Sequence, residues 1–322
     1  DQSVHHRRLG RQQVVDIVGL GLATIDIMAL VPRLPGRDEV FQAGRILLEG
    51  GGPVATALVA DARLGVSTAY LGPVAPTTWG TLARAGLENE GVDTSHAPGR
   101  SSGEQSVSVI LVDQPTGLRS ILYKIGEMQE LETNEIPEAL ITSARVLHLD
   151  CSHPDAACHA AQIAREAGVV VSFDGGVGES WPGIESLLPH VDLMVVARDF
   201  AEHYTGQADP QKAGEALLGT YRPRQVVITD GTRGCWYWDA TQQLHQPAFP
   251  IDVVDTTGAG DVFHGAFLYA FLQGGPAGRS LAFAAAAAAL KCRLLGGRAG
   301  IPTRSQVEAF LANQDAASLW RY

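Results

Sequence analysis

The sequence predicts an α/β protein with a mostly parallel sheet, helices on both of its faces and a second, smaller group of strands. Three observations point there. From Val146 to Thr229, short β-branched apolar runs alternate with segments of helical spacing, the rhythm that builds a parallel sheet buried on both sides. A glycine-rich turn at Gly258-Ala259-Gly260 runs into apolar residues at 262, 263, 266, 267 and 270, which is the period of a helix. Two stretches, about 28–49 and 105–125, have strand character with no helix between their halves.

Each element follows from its residues. The run 14–20 is apolar and β-branched and ends in glycines, as a buried strand does, with Asp26 at its exit. Within 28–49, Pro32, Pro35 and Gly36 punctuate a strand, a turn and a second strand. Pro53 and Gly65 bracket a helix, proline at its first position and glycine past its end. A strand over 67–72 and a helix over 79–90 come next, and then 105–112 and 118–125 flank the turn Asp113-Gln114-Pro115-Thr116-Gly117 as a hairpin. The alternating part contains strands at 146–149, 169–173, 191–196 and 225–229 and helices at 155–167 and 210–220. Segments 235–238 and 243–249 read as an antiparallel pair with Trp236 and Trp238 in the core, and helices over 281–291 and 305–312 close the chain.

A chain of 322 residues, 45% hydrophobic and 18% charged, can bury one large core. We read 1–13 as a loose polar extension and 14–322 as one domain. The net charge of -11 argues against nucleic acid and anionic membranes as partners, and no apolar run reaches the ~18 residues of a membrane span. Cys151, Cys158, Cys235 and Cys292 show no metal-binding spacing, so free thiols in a reducing cytoplasm are expected.

The chemistry centres on Asp255-Thr256-Thr257-Gly258-Ala259-Gly260-Asp261. A helix that starts there points unpaired N–H groups and a positive dipole end at whatever lies beyond it, which suits phosphate oxygens. Asp261 then stands where a carboxylate can take a proton from an attacking hydroxyl; the plainer alternative is an acid that complements the helix dipole. Asp26 lies where open α/β sheets bind ligands, or caps a turn. Gly50-Gly51-Gly52 before the Pro53 helix, and Thr229-Asp230-Gly231-Thr232-Arg233-Gly234 after a strand, offer two more places for close backbone approach.

The heptapeptide 255–261, the Gly51-Gly52 helix start with its Ala-Arg-Leu-Gly ending, and Thr-x-Gly-x-x-Gly at 229–234 together resemble the signatures of the ribokinase-like (PfkB) carbohydrate kinases, in family order. The resemblance implies an ATP-dependent kinase with Mg2+, in which Asp261 is the base and Gly258, Ala259 and Gly260 form the anion hole. It also implies that Thr229, Gly231 and Gly234 contact ATP. Asp26, Gly51, Gly52 and Thr56 would contact the sugar, and Asp255 would help to hold a monovalent cation, K+. The strands of 28–49 and 105–125 would form a lid over the sugar and the contact of a homodimer.

Two departures stand out. Where many members carry Asn-x-x-Glu, this chain has Ala197 and Phe200, and Thr56 replaces an asparagine that touches the sugar in ribokinases. The strings 50–57, 245–249, 252–266, 289–292 and 296–302 are similar to those of sulfofructose kinases, a subgroup of the family. The expected acceptor is the hydroxymethyl group of a ketose or ketose derivative, with sulfofructose or another anionic sugar in the set. Arg37, Arg45, Arg119 and Lys124 are the candidate lid cations for such an anion. A nucleoside kinase of the same family and a catalytically silent sugar-binding member are the alternatives.

Overall fold

The computed structural model describes residues 15–176 and 182–314; the expected loose extension over 1–13 lies outside them. In chain order, β1 (Ile17–Leu20), β2 (Thr24–Val31) and β3 (Arg45–Gly51) precede α1 (Pro53–Leu64), β4 (Thr68–Leu71) and α2 (Thr78–Glu88). Next come β5 (Ser106–Asp113), β6 (Arg119–Lys124), α3 (Glu138–Ser143), β7 (Val146–Leu149), α4 (Pro154–Glu166) and β8 (Val170–Asp174). They are followed by α5 (Ile184–Leu187), β9 (Leu193–Ala197), α6 (Arg198–Thr205), α7 (Pro210–Tyr221) and β10 (Gln225–Thr229). The hairpin β11 (Cys235–Trp238) and β12 (Gln243–Gln246) leads to α8 (Ala259–Leu272), α9 (Ala277–Lys291) and α10 (Arg304–Ala312).

The large sheet has the order β12-β11-β10-β9-β8-β7-β1-β4. It is parallel from β4 to β10, and the β11–β12 hairpin forms its antiparallel edge. Leu58 of α1, Phe267 of α8 and Leu281 of α9 pack with Ile17 and Val146 on one face. Ala160 of α4, Phe200 of α6 and Leu217 of α7 pack with Val18, Leu147 and Phe173 on the other. Sequence reading did not anticipate α6, because its eight residues bury only Phe200 and Ala201 and so lack a helical stripe.

The expected small sheet is present, in the order β3-β2-β5-β6. Asp26 belongs to it as the third residue of β2, a correction to its expected place at the exit of the preceding strand. Register puts Asp26, Met28, Ser108, Ile110, Val112, Arg119 and Tyr123 on one face. Met28, Ile110 and Val112 of that face pack on Leu295 and Val254, so this inner face looks onto the start of α8. The outer face carries Ile46, Leu48, Val109 and Leu122, exposed by 68%, 47%, 41% and 60%. A two-sided sheet this apolar on its free face is unusual for a surface. Among the described residues, no helix is long and apolar enough to cross a membrane.

Candidate active site

α8 starts at the left-handed residue Gly258, φ 73°, and a Cβ there would stand 2.7 Å from the Gly297 carbonyl oxygen. Glycine is therefore required by the crossing of the 292–300 loop beneath the turn. Ala259 N–H donates to Thr256 O at 3.2 Å, so the amides free to meet an anion are those of Gly260 and Asp261 at the unpaired helix start. Gly260 is exposed with open space around it.

The Asp261 carboxyl, half-buried in the first turn, is lifted well above the usual carboxylate range by burial; Asp174 and Asp26 add to the rise, and Arg119 and Arg298 oppose it. Asp174 closes β8; its Oδ1 accepts from Gly176 N–H at 2.8 Å and its Oδ2 lies 3.4 Å from His264 Nε2, one turn along α8. Burial holds His264 down to about 3. It is therefore neutral near pH 7, and its 3.4 Å approach to Asp174 is not an ion pair. His148 of β7 packs beside it with ring centroids 5.6 Å apart.

In the small sheet, Asp26 is 7% exposed and its Oδ1 accepts from Thr24 Oγ1 at 2.9 Å. Burial raises its pKa, against the pull of Thr24, Ser108 and Arg298. Gly51 touches this site, because a Cβ there would overlap Asp26 Oδ2. Gly52 serves the backbone: its φ is 95° and a Cβ would strike Leu22 O. Thr56 is buried and its Oγ1 accepts from Arg298 Nε at 3.2 Å, while Arg298 Nη2 donates to Gly51 O at 2.9 Å. Thr56 thus holds a guanidinium that in turn faces Asp26.

At the carboxyl end of the large sheet, Thr229 ends β10 and its hydroxyl donates to Val196 O at 3.4 Å. Gly231 (φ 53°) and Gly234 (φ 92°) both need left-handed backbone; Gly231 faces open space, and a Cβ at Gly234 would strike Gln246 O. Asp230, just before Gly231, is paired with Arg233 and Arg198. Ala197 caps α6, and Phe200 points into the core, 4.3 Å from the Tyr204 ring and 5.8 Å from that of Phe173. Aromatic packing fills the place of an acidic side chain.

The sequence model described as pfkB family carbohydrate kinase matches residues 15–304. The chain belongs to that family. An ATP-dependent ribose-1-phosphate kinase of Halopiger xanaduensis is 32% identical over 94% of this kinase and 99% of its own length. A 5-dehydro-2-deoxygluconokinase of Geobacillus thermodenitrificans is 28% identical, covering 95% and 96%. Among solved structures, Arabidopsis thaliana ribokinase complexed with ribose and ATP superposes with a TM-score of 0.81 at 25% identity, covering 94% of this chain and all of that one (100%).

In this kinase, Asp255 is fully buried and its carboxylate is committed. Oδ1 accepts from Thr257 N–H at 2.8 Å and Thr257 Oγ1 at 2.7 Å, and Oδ2 from Gly296 N–H at 2.9 Å. The Asp255 carbonyl accepts from Lys291 Nζ at 3.0 Å. Lys291, at the end of α9, is 0% exposed.

Of the four lid cations, Arg37 and Arg45 are exposed and Lys124 lies on the outer face, paired with Glu127. Arg119 is on the inner face, with Nη1 donating to Thr256 Oγ1 at 3.1 Å. Sequence reading passed over Arg298, Lys291, Asp174 and His264 as site residues. Two carried a signal: Arg298 is a lone cation among glycines, and Lys291 is a charge inside an alanine-rich apolar helix.

Proposed function

We propose that this kinase transfers the γ-phosphoryl group of ATP to the hydroxymethyl group of a small anionic sugar, a ketose or ketose derivative. The observation that carries the reading is the placement of Asp261: a carboxyl with a raised pKa beside two unpaired helix-start amides, opposite the Asp26 side of the lid sheet. Asp26 and the Gly51 backbone bind and orient the sugar hydroxyls. Asp261 accepts the proton of the attacking hydroxyl; a base whose pKa lies nearer the working pH transfers protons more effectively than an ordinary carboxylate. The Gly260 and Asp261 amides, with Gly258 shaping the turn, meet the charge on the transferring phosphoryl group. Thr229, Gly231 and Gly234 border the nucleotide, and Mg2+ arrives with it as part of the substrate. A separate K+ at Asp255 does not fit, because both carboxylate oxygens and the carbonyl already have protein donors.

Two features support an anionic sugar. The names of both relatives denote anionic substrates, and Arg119 and Arg298 both direct positive charge at Asp261 from the sugar side. The exposed apolar outer face of the small sheet supports a homodimer through that face.

ADP release over a panel of ketoses, ribose 1-phosphate, sulfonated sugars, sugar acids and nucleosides tests the reading. Turnover with nucleosides alone, or with none of the panel, would sink it. Arg119→Ala refines it: loss of a charge-assisted contact should cost about 2 kcal/mol in kcat/KM for the anionic sugar and little for a neutral analogue. Equal losses on both would favour a neutral ketose. Sedimentation of wild type and Leu48→Lys tests the dimer, which is excluded if wild type is monomeric.

A further inference from the structure

The fully buried carboxylate of Asp255 receives three hydrogen bonds, all from uncharged donors. A dehydrated carboxylate needs a counter-charge nearby, since leaving one unpaired in the interior is costly. The kinase supplies that charge from its own chain. Lys291 is as deeply buried as Asp255, and its ammonium bonds to the Asp255 carbonyl at 3.0 Å; burial lowers its pKa, and the carboxylates of Asp255 and Glu49 pull against that fall.

Two segments meet there: the 254–258 loop and turn that lead into α8, and the 292–300 loop that follows α9. Val254 and Asp255 N–H donate to Cys292 O, Gly296 N–H donates to Asp255, and Gly258 rests on the Gly297 carbonyl. Gly300 passes so close to the Lys291 carbonyl that a Cβ would overlap it. These two segments form the floor under the helix start that would receive the phosphoryl group. A cation bound between them fixes their carbonyls and, through them, the aim of the amides at Gly260 and Asp261.

We propose that the ammonium of Lys291 is the resident cation of this floor, so that the kinase folds and turns over without a free monovalent ion. Lys291 is a positioning residue, acting through Asp255 and the 255–258 turn and not on the substrate. The inference rests on the kinase reading for its turnover arm; its melting arm does not.

The test compares KCl with choline chloride at equal ionic strength, choline being too large for a buried site. Wild type should show the same melting temperature in both salts, and the same rate of ADP release with ribose 1-phosphate or fructose. Lys291→Met keeps the apolar stem and removes the charge. It should melt lower in choline, and K+ or NH4+ should restore its melting temperature and raise its ADP release about tenfold or more, the equivalent of one charge-assisted hydrogen bond. A merely structural lysine would not be rescued by a small cation. A specific K+ response of wild type overturns the proposal, and so does a folded Lys291→Met that ignores K+ in both readouts. If the variant folds in neither salt, the wild-type melting comparison decides: equality supports the built-in cation, and a K+-dependent rise refutes it. Failure of both sugars to release ADP counts against the kinase reading alone, because the melting arm still reports on Lys291.

Discussion

Replacing Asp261 by asparagine should disable the kinase while making it harder to melt. The side chain keeps its shape and loses its charge and its ability to take a proton. Losing a positioned base costs about 10²–10⁴-fold in turnover, or roughly 2.7–5.5 kcal/mol of barrier, with ATP and sugar binding within a few-fold of wild type. Stability should move the other way. In the folded state the Asp261 carboxyl titrates well above the ordinary 3.8, because burial, Asp174 and Asp26 all disfavour its charge. A carboxyl raised in this way favours the fold when protonated and opposes it when ionised. The cost is absent below the ordinary carboxylate pKa, grows as pH rises from there and is complete above the folded-state value. Asp261→Asn should therefore raise the melting temperature at mildly alkaline pH and leave it unchanged in strong acid. Coupled ADP-release kinetics and thermal melting across pH measure both. Turnover retained within a few-fold would remove Asp261 as the base, and a melting temperature that falls at alkaline pH would refute the electrostatic argument.

Three further substitutions separate the parts of the site. Gly260→Val places a side chain in open space, so it should lower turnover about tenfold or more by covering the anion-hole amides, with little loss of melting temperature; a parallel fall in both would make this glycine structural. Gly51→Ala drives a methyl group into the Asp26 carboxylate and should raise the sugar KM while that for ATP changes little, as titration of each substrate would show. Arg298→Met removes the cation beside Asp26 and should raise the sugar KM by roughly 30-fold, the low end for breaking a buried charge contact; an unchanged KM with a lower melting temperature would confine Arg298 to holding the 296–298 loop.

The parallel sheet was legible because each of its strands is a short apolar run closed by a turn, and sequence and structure agree at β7 and β10 to the residue. The small sheet was legible from strand pairs without an intervening helix. Asp26 was misplaced because only the three residues 21–23 separate the end of one strand from polar-apolar alternation that begins at Thr24, earlier than Met28. Gly51 and Gly52 looked equivalent in sequence, yet a Cβ at Gly51 would overlap the Asp26 carboxylate whereas Gly52 needs its left-handed angle and would strike Leu22 O. Thr56 read as a sugar contact because its position matched one. Its Oγ1 also accepts from Arg298, 242 residues away, and no local pattern reveals a partner at that separation. Asp174 and His264 stayed hidden for the same reason, since their meeting depends on how β8 and α8 stack.

Glu49 joins two parts of the molecule that the chain keeps far apart. Its Oε2 accepts from Arg298 N–H at 3.1 Å, tying strand β3 of the small sheet to the loop that runs beneath Gly258. On the proposed reading, a sugar that shifts β3 through Asp26 and Gly51 would displace or tighten the support of the phosphate site. By thermodynamic reciprocity, whatever factor the sugar adds to nucleotide affinity the nucleotide returns to the sugar. A sugar that tightens this support would make the phosphate seat firmest when the acceptor is already in place, which would discourage loss of ATP to water.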